Sequence, residues 1–111
     1  MSKKFCFDID GVICKTIKNN YKSSKPNKAV IKIINKLYQR GNYIIIFTSR
    51  YMGRNKENVF KSKKQGFQFT YNQLVSWELK FHKLILGKPS YDLIVDDKAL
   101  GFKKNWHVNF I

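Results

Sequence analysis

The sequence predicts an α/β fold, a single domain over residues 1–111 built around a central, mostly parallel sheet. Three observations predict it. The apolar runs Phe5 to Ile9, Tyr43 to Phe47 and Tyr91 to Val95 are short and continuous, as buried strands are. A stretch with helical spacing separates the first two runs. Polar residues cluster where the runs end, and in open α/β sheets ligands bind outside the carboxyl ends of the strands. Strands alternating with helices call for crossover connections and therefore parallel pairing.

Taken in order, Phe5 to Ile9 is the first strand, with the carboxylates Asp8 and Asp10 at its end. Residues 11–24 begin apolar and turn polar and basic, which suits a loop, and Pro26 fits the first turn of the helix that follows. Val30, Ile31, Ile33, Ile34, Leu37 and Tyr38 recur at helical spacing, and Gly41 closes that helix. Tyr43 to Phe47 is the second strand, and Thr48-Ser49-Arg50 opens a loop. A basic helix is predicted over 55–65, stopped by Gly66, and a second over 71–79, with Thr70 and Gln73 as its capping box. Leu84 to Leu86 reads as a short strand and Gly87-Lys88-Pro89 as a turn. Tyr91 to Val95 reads as a buried strand and Trp106 to Ile111 as an edge strand.

Composition excludes some classes. No apolar run approaches the roughly 20 residues that cross a bilayer, so no membrane insertion is predicted. Asp8 interrupts any secretory hydrophobic region behind Met1-Ser2-Lys3-Lys4, which predicts a cytoplasmic location. Cys6 and Cys14 make neither a disulfide framework nor a CxxC pair, and reduced thiols are expected. The net charge of +15 attracts anions: phosphorylated small molecules, nucleic acid or an anionic surface. It does not choose among them.

The acidic residues are more informative. There are only seven against 22 lysines and arginines, and Asp8, Asp10, Asp96 and Asp97 form two close groups after apolar runs. Parallel strands would bring the four together. Like charges at such range repel by several kcal/mol at intermediate dielectric, so a cation must offset them. A hard ion with oxygen ligands and open positions, Mg2+, is the natural candidate.

Phe7-Asp8-Ile9-Asp10-Gly11-Val12 resembles the first signature of the haloacid dehalogenase superfamily of phosphohydrolases, DxDGV after a hydrophobic strand. Thr48 after Tyr43 to Phe47 resembles the second, Lys88 in Gly-Lys-Pro the third, and Asp96-Asp97 after Leu93-Ile94-Val95 the fourth. The resemblance spans residues 5–99. It implies a Rossmann-like three-layer sandwich without a cap and an Mg2+-dependent phosphatase acting through an aspartyl phosphate.

The resemblance and the chemistry assign the roles together. Asp8 is the nucleophile. Asp10, on the same side of the strand, protonates the leaving oxygen and then deprotonates water. Asp8, Asp10, Asp96 and Asp97 make the metal set. Thr48, Ser49, Arg50 and Lys88 bind the substrate, and Lys88 also keeps Asp8 ionised. Lys83 rivals Lys88, because the segment before the final strand is short.

Neither residues 13–42 nor residues 49–87 leave room for a cap with its own core, so the site should be open. Capless relatives cover the site with a neighbouring subunit, as a homo-oligomer, or accept large substrates. The chain looks most like short capless phosphatases associated with capsule and surface-polysaccharide synthesis, which implies a sugar phosphate or nucleotide as substrate. Nucleic-acid ends are a second substrate class, although no aromatic-and-basic alternation marks a strand-binding groove. An anion-binding protein without catalysis is the third reading. Arg54 and Lys56, after Arg50, suit a second anionic group or a solvated loop, and Tyr51 suits stacking on a ring.

Overall fold

The computed structural model describes residues 2–103 and 105–110. The first run becomes β1 (Lys4–Phe7). The chain then turns at Gly11, φ +86, where the Ile9 carbonyl accepts from the N–H groups of Val12, Ile13 and Cys14. Only glycine adopts that backbone without strain. Two short antiparallel strands, β2 (Cys14–Lys15) and β3 (Lys25–Pro26), clip the loop together. Pro26 therefore lies in a strand pair and not in the first helical turn. Asn27 starts the helix instead, its side chain accepting from the Ala29 and Val30 N–H groups that a helix leaves unpaired. Helix α1 (Lys28–Gln39) buries Val30, Ile31, Ile33, Ile34 and Leu37, the face its spacing predicts.

Strand β4 (Tyr43–Thr48) is central and pairs in parallel with β1 on one side and β5 (Lys83–Leu86) on the other. Phe7 sits opposite Ile46, Ile46 opposite Leu84, and Thr48 opposite Leu86. Alternation puts these side chains on one face with Ile44, and all are buried, Phe7, Ile44, Ile46, Leu84 and Leu86 in a core shared with α1. On the other face Cys6 is exposed, while Ile45, Phe47 and Ile85 are half-buried. The described helices thus cover one face, giving two layers where three were expected. The order β1-β4-β5 steps twice in one direction, and right-handed crossovers then place both connecting helices on the same side.

One helix, α2 (Val59–Ser76), replaces the two expected. Its cap is Asn58, which accepts from the Lys61 N–H. Gly66 does not stop it, since a mid-helix glycine costs only about 1 kcal/mol. Glycine is there because the Tyr51 ring packs against the helix, where a Cβ would lie 2.1 Å from its carbons. Thr70 is consequently mid-helix and buried, and Leu74 joins the core.

Tyr91 to Val95 forms no strand, and Leu93 and Val95 are 81% and 91% exposed. A parallel strand needs a crossover of a dozen or more residues. Only residues 87–90 separate β5 from Tyr91. The predicted edge strand at the end of the chain is a 3-10 helix (Trp106–Phe110), with Ile111 outside the described residues. Trp106 packs on Phe7 and Phe110 on Phe5, each with ring centroids 5.7 Å apart. Among the described residues no helix is long and apolar enough to cross a membrane.

Candidate active site

The parallel strands deliver their carboxyl ends to one edge of the sheet. Asp8 follows β1, Thr48 ends β4, and Lys88 lies just past β5. The Lys88 N–H donates to the Thr48 carbonyl at 3.2 Å, and Lys88 Nζ lies 3.4 Å from Asp8 Oδ2. Lys83, at the far end of β5, is exposed, so Lys88 is the lysine at Asp8. Asp8 Oδ1 accepts from the Ile9 N–H at 2.8 Å.

Burial lifts the Asp8 carboxyl above the ordinary carboxylate range, and the attraction of Lys88 only partly offsets it. Burial works against the charge on Lys88, but Tyr91 and Asp8 outweigh it and raise the ammonium above its usual value. The pair is therefore a basic carboxylate beside a secure cation.

Asp10 has a different partner. Arg50 Nε donates to its Oδ2 and Arg50 Nη2 to its Oδ1, both at 2.8 Å, a two-pronged pair. Thr16 Oγ1 donates to Oδ1 at 2.5 Å and lies 2.6 Å from Ser24 Oγ. Burial alone would raise Asp10, but the bonds and charge of Arg50, with Thr16 added, hold it below the usual range. Arg50 is fully buried. Its Nη1 donates to Gln73 Oε1 at 2.6 Å, Gln73 Nε2 donates to the Tyr21 carbonyl at 2.6 Å, and its guanidinium lies 4.5 Å from the Tyr21 ring centroid.

Two expectations change. Arg50 was read as a substrate-binding residue, and it instead turns inward, its donors spent on Asp10 and Gln73. A carboxylate mostly out of water requires such a partner. The same pairs remove the reason for inferring a metal from repulsion. Asp8 and Asp10 are already offset, by Lys88 and Arg50.

Asp96 and Asp97 are exposed, and Asp96 Oδ1 accepts from the Lys98 N–H at 2.9 Å. Among the described residues no three Asp, Glu, His or Cys side chains gather to hold a metal ion. As placed, the four aspartates do not make the expected Mg2+ site, because the segment carrying two of them forms no strand. Thr48 is buried, its Oγ1 accepting from the Arg50 N–H at 3.1 Å. Ser49 is half-buried, and its carbonyl accepts from the Met52 N–H.

Sequence reasoning passed over Thr16, Tyr21 and Ser24, and it read Gln73 as a helix cap. Nothing in local spacing marks them. Cys14, expected as a reduced thiol, packs in the core, and its Sγ also lies 3.5 Å from Asp10 Oδ1. A cleft of about 610 Å3 runs between α1 and the end of α2 and is lined by none of Asp8, Asp10, Thr48 and Lys88. A smaller one, about 190 Å3, opens beside Tyr21, Tyr51 and Arg54.

The fold and these strand ends define an α/β protein with its polar residues gathered at one end of a parallel sheet. No family model and no curated protein matches the chain. It is similar in fold to the crystal structure of a structural-genomics target from Vibrio cholerae, with a TM-score of 0.82 at 22% identity, over 97% of this chain and 95% of that one.

Proposed function

We propose that the protein is a phosphatase of the capless haloacid dehalogenase type, acting on a small phosphorylated metabolite such as a sugar phosphate or nucleotide. The observation that carries the reading is the Asp8–Lys88 pair at the carboxyl end of a parallel sheet, beside Thr48 and Asp10. An Asp8 oxygen attacks phosphorus as the bond to the leaving oxygen breaks, giving an acyl phosphate. Lys88 keeps the attacking group ionised and stabilises charge on the phosphoryl oxygens, with the Thr48 hydroxyl donating to one of them. The leaving oxygen takes its proton from water, because Asp10 starts ionised. Arg50 holds it ionised and fixed in place, as required when it takes a proton from the water that cleaves the acyl phosphate. Positioning and charge are most of what phosphoryl transfer demands.

A screen for phosphate release over sugar phosphates, nucleotides and oligonucleotide ends tests this reading. Turnover is expected on at least one small phosphate. Silence across the panel, with Mg2+ supplied, would leave only an anion-binding protein.

The fourth signature stays part of the proposal although it stands apart. Leaving Leu93, Ile94 and Val95 in water forgoes about 1.5–3 kcal/mol for each side chain that could be buried. Within that segment Tyr91 lies 5.4 Å from Lys88 Nζ. Were Mg2+ to be held at the strand ends, Asp8 and Asp96 would be its carboxylate ligands and it would offset phosphoryl charge, so Asp96→Asn is expected to cut phosphate release more than about tenfold. Unchanged turnover in that variant would remove Asp96 from the site.

A further inference from the structure

We propose that Arg54, set over the rings of Tyr21 and Tyr51, forms a second anion subsite, so that the preferred ligand carries a further phosphate or carboxylate besides its phosphoryl group. The inference rests on the phosphatase reading for which end of the ligand meets Asp8.

Arg54 lies in the exposed 3-10 turn Gly53–Asn55. Its guanidinium carbon is 4.7 Å from the Tyr51 centroid and 5.5 Å from the Tyr21 centroid, and the two rings are 5.0 Å apart. A guanidinium held over aromatic rings still has N–H donors to offer, and these can grip a phosphate or carboxylate with two parallel bonds. Among the described residues Arg54 has no carboxylate partner. Arg50, four positions earlier, has its donors committed to Asp10 and Gln73. The two arginines are thus divided between an inward structural pair and an outward vacancy.

The adjoining cleft of about 190 Å3 is lined by Asn19, Asn20 and Lys22 as well as the two tyrosines and Arg54, with no acidic side chain. The Tyr21 ring also lies 4.5 Å from the Arg50 guanidinium that holds Asp10. The shelf is also preorganised. Gln73 pins the Tyr21 backbone, the Tyr51 N–H donates to Tyr21 Oη at 3.4 Å, and the missing side chain at Gly66 makes room for the Tyr51 ring. A ligand therefore meets donors already in position, with little ordering cost.

Calorimetry with ω-phosphonocarboxylates of increasing length, each against the alkylphosphonate of equal length, reads the subsite without turnover. At fixed ionic strength one length is expected to bind at least about tenfold tighter than its singly charged counterpart. Arg54→Gln should reduce that preference to within about twofold and leave the alkylphosphonates unchanged, while Arg54→Lys, which keeps the charge but not the fork, retains part of it. An unchanged preference in Arg54→Gln, or no preference at any length, overturns the proposal. Arg54 is exposed, so its variants should melt with the parent protein. If every phosphonate binds but no phosphate ester is hydrolysed, the phosphatase reading fails and the subsite stands.

Discussion

Asp8→Asn is expected to lower phosphate release by at least about a thousandfold, because the covalent route loses the atom that forms the new bond to phosphorus. Its stability should not fall with its activity. The folded protein holds the Asp8 carboxyl above its ordinary pKa, with burial as the cause and the attraction of Lys88 already included. A raised carboxyl binds its proton more tightly when folded than when unfolded, so stability declines as pH climbs from the unfolded value toward the folded one. At neutral pH the ionised group is therefore a net burden that the neutral amide lacks. Rates over a range of phosphate esters, with melting temperatures at pH 7, check both halves. A variant that is inactive because it is unfolded would be a different result, and a variant that keeps most of its turnover would rule out Asp8 as nucleophile.

Arg50→Met is expected to cost about 2–4 kcal/mol of folding stability at neutral pH, read as a shift in the urea midpoint. Breaking a fully buried pair by removing one partner costs about 3–5 kcal/mol, and the 28% exposure of the Asp10 side chain reduces that somewhat. Asp10→Asn in the same chain should recover much of the loss, since no unpaired carboxylate then remains. The pH dependence has a definite sign. Arg50 depresses the folded pKa of Asp10, so the pair's contribution is complete above the unfolded value of about 3.9 and disappears as pH falls through the folded one. The gap between parent and variant should therefore narrow toward acid pH. A gap that stays constant from pH 7 to pH 3 would mean that Arg50 acts by packing on Tyr21 alone.

The two variants probe parts of the site that differ in how readable they were. Asp8, Thr48 and Lys88 were legible because each lies at or just past the end of a short apolar run, and parallel strands must release their chains at the same edge of a sheet. Helix α1 was legible from its spacing. Helix α2 was misdivided at Gly66, whose purpose is the approach of Tyr51, a contact that no local pattern records. The Asp10 network was illegible for the same reason. Arg50 reaches Asp10 across 40 positions, Gln73 reaches Arg50 across 23, and Tyr21 accepts from Gln73 across 52.

Composition and periodicity were thus enough to specify an α/β chain with a parallel sheet, its first helix and the polar residues at its strand ends, because these follow from burial period and backbone hydrogen bonding between near neighbours. Which cation answers which carboxylate emerged only in the folded molecule, with Lys88 on Asp8 and Arg50 on Asp10. So did the one-sided covering of the sheet and the exposure of Tyr91 to Val95. Charge pairing and layer count depend on which distant segments share space, and a buried ionic group takes whatever partner the packing brings within reach.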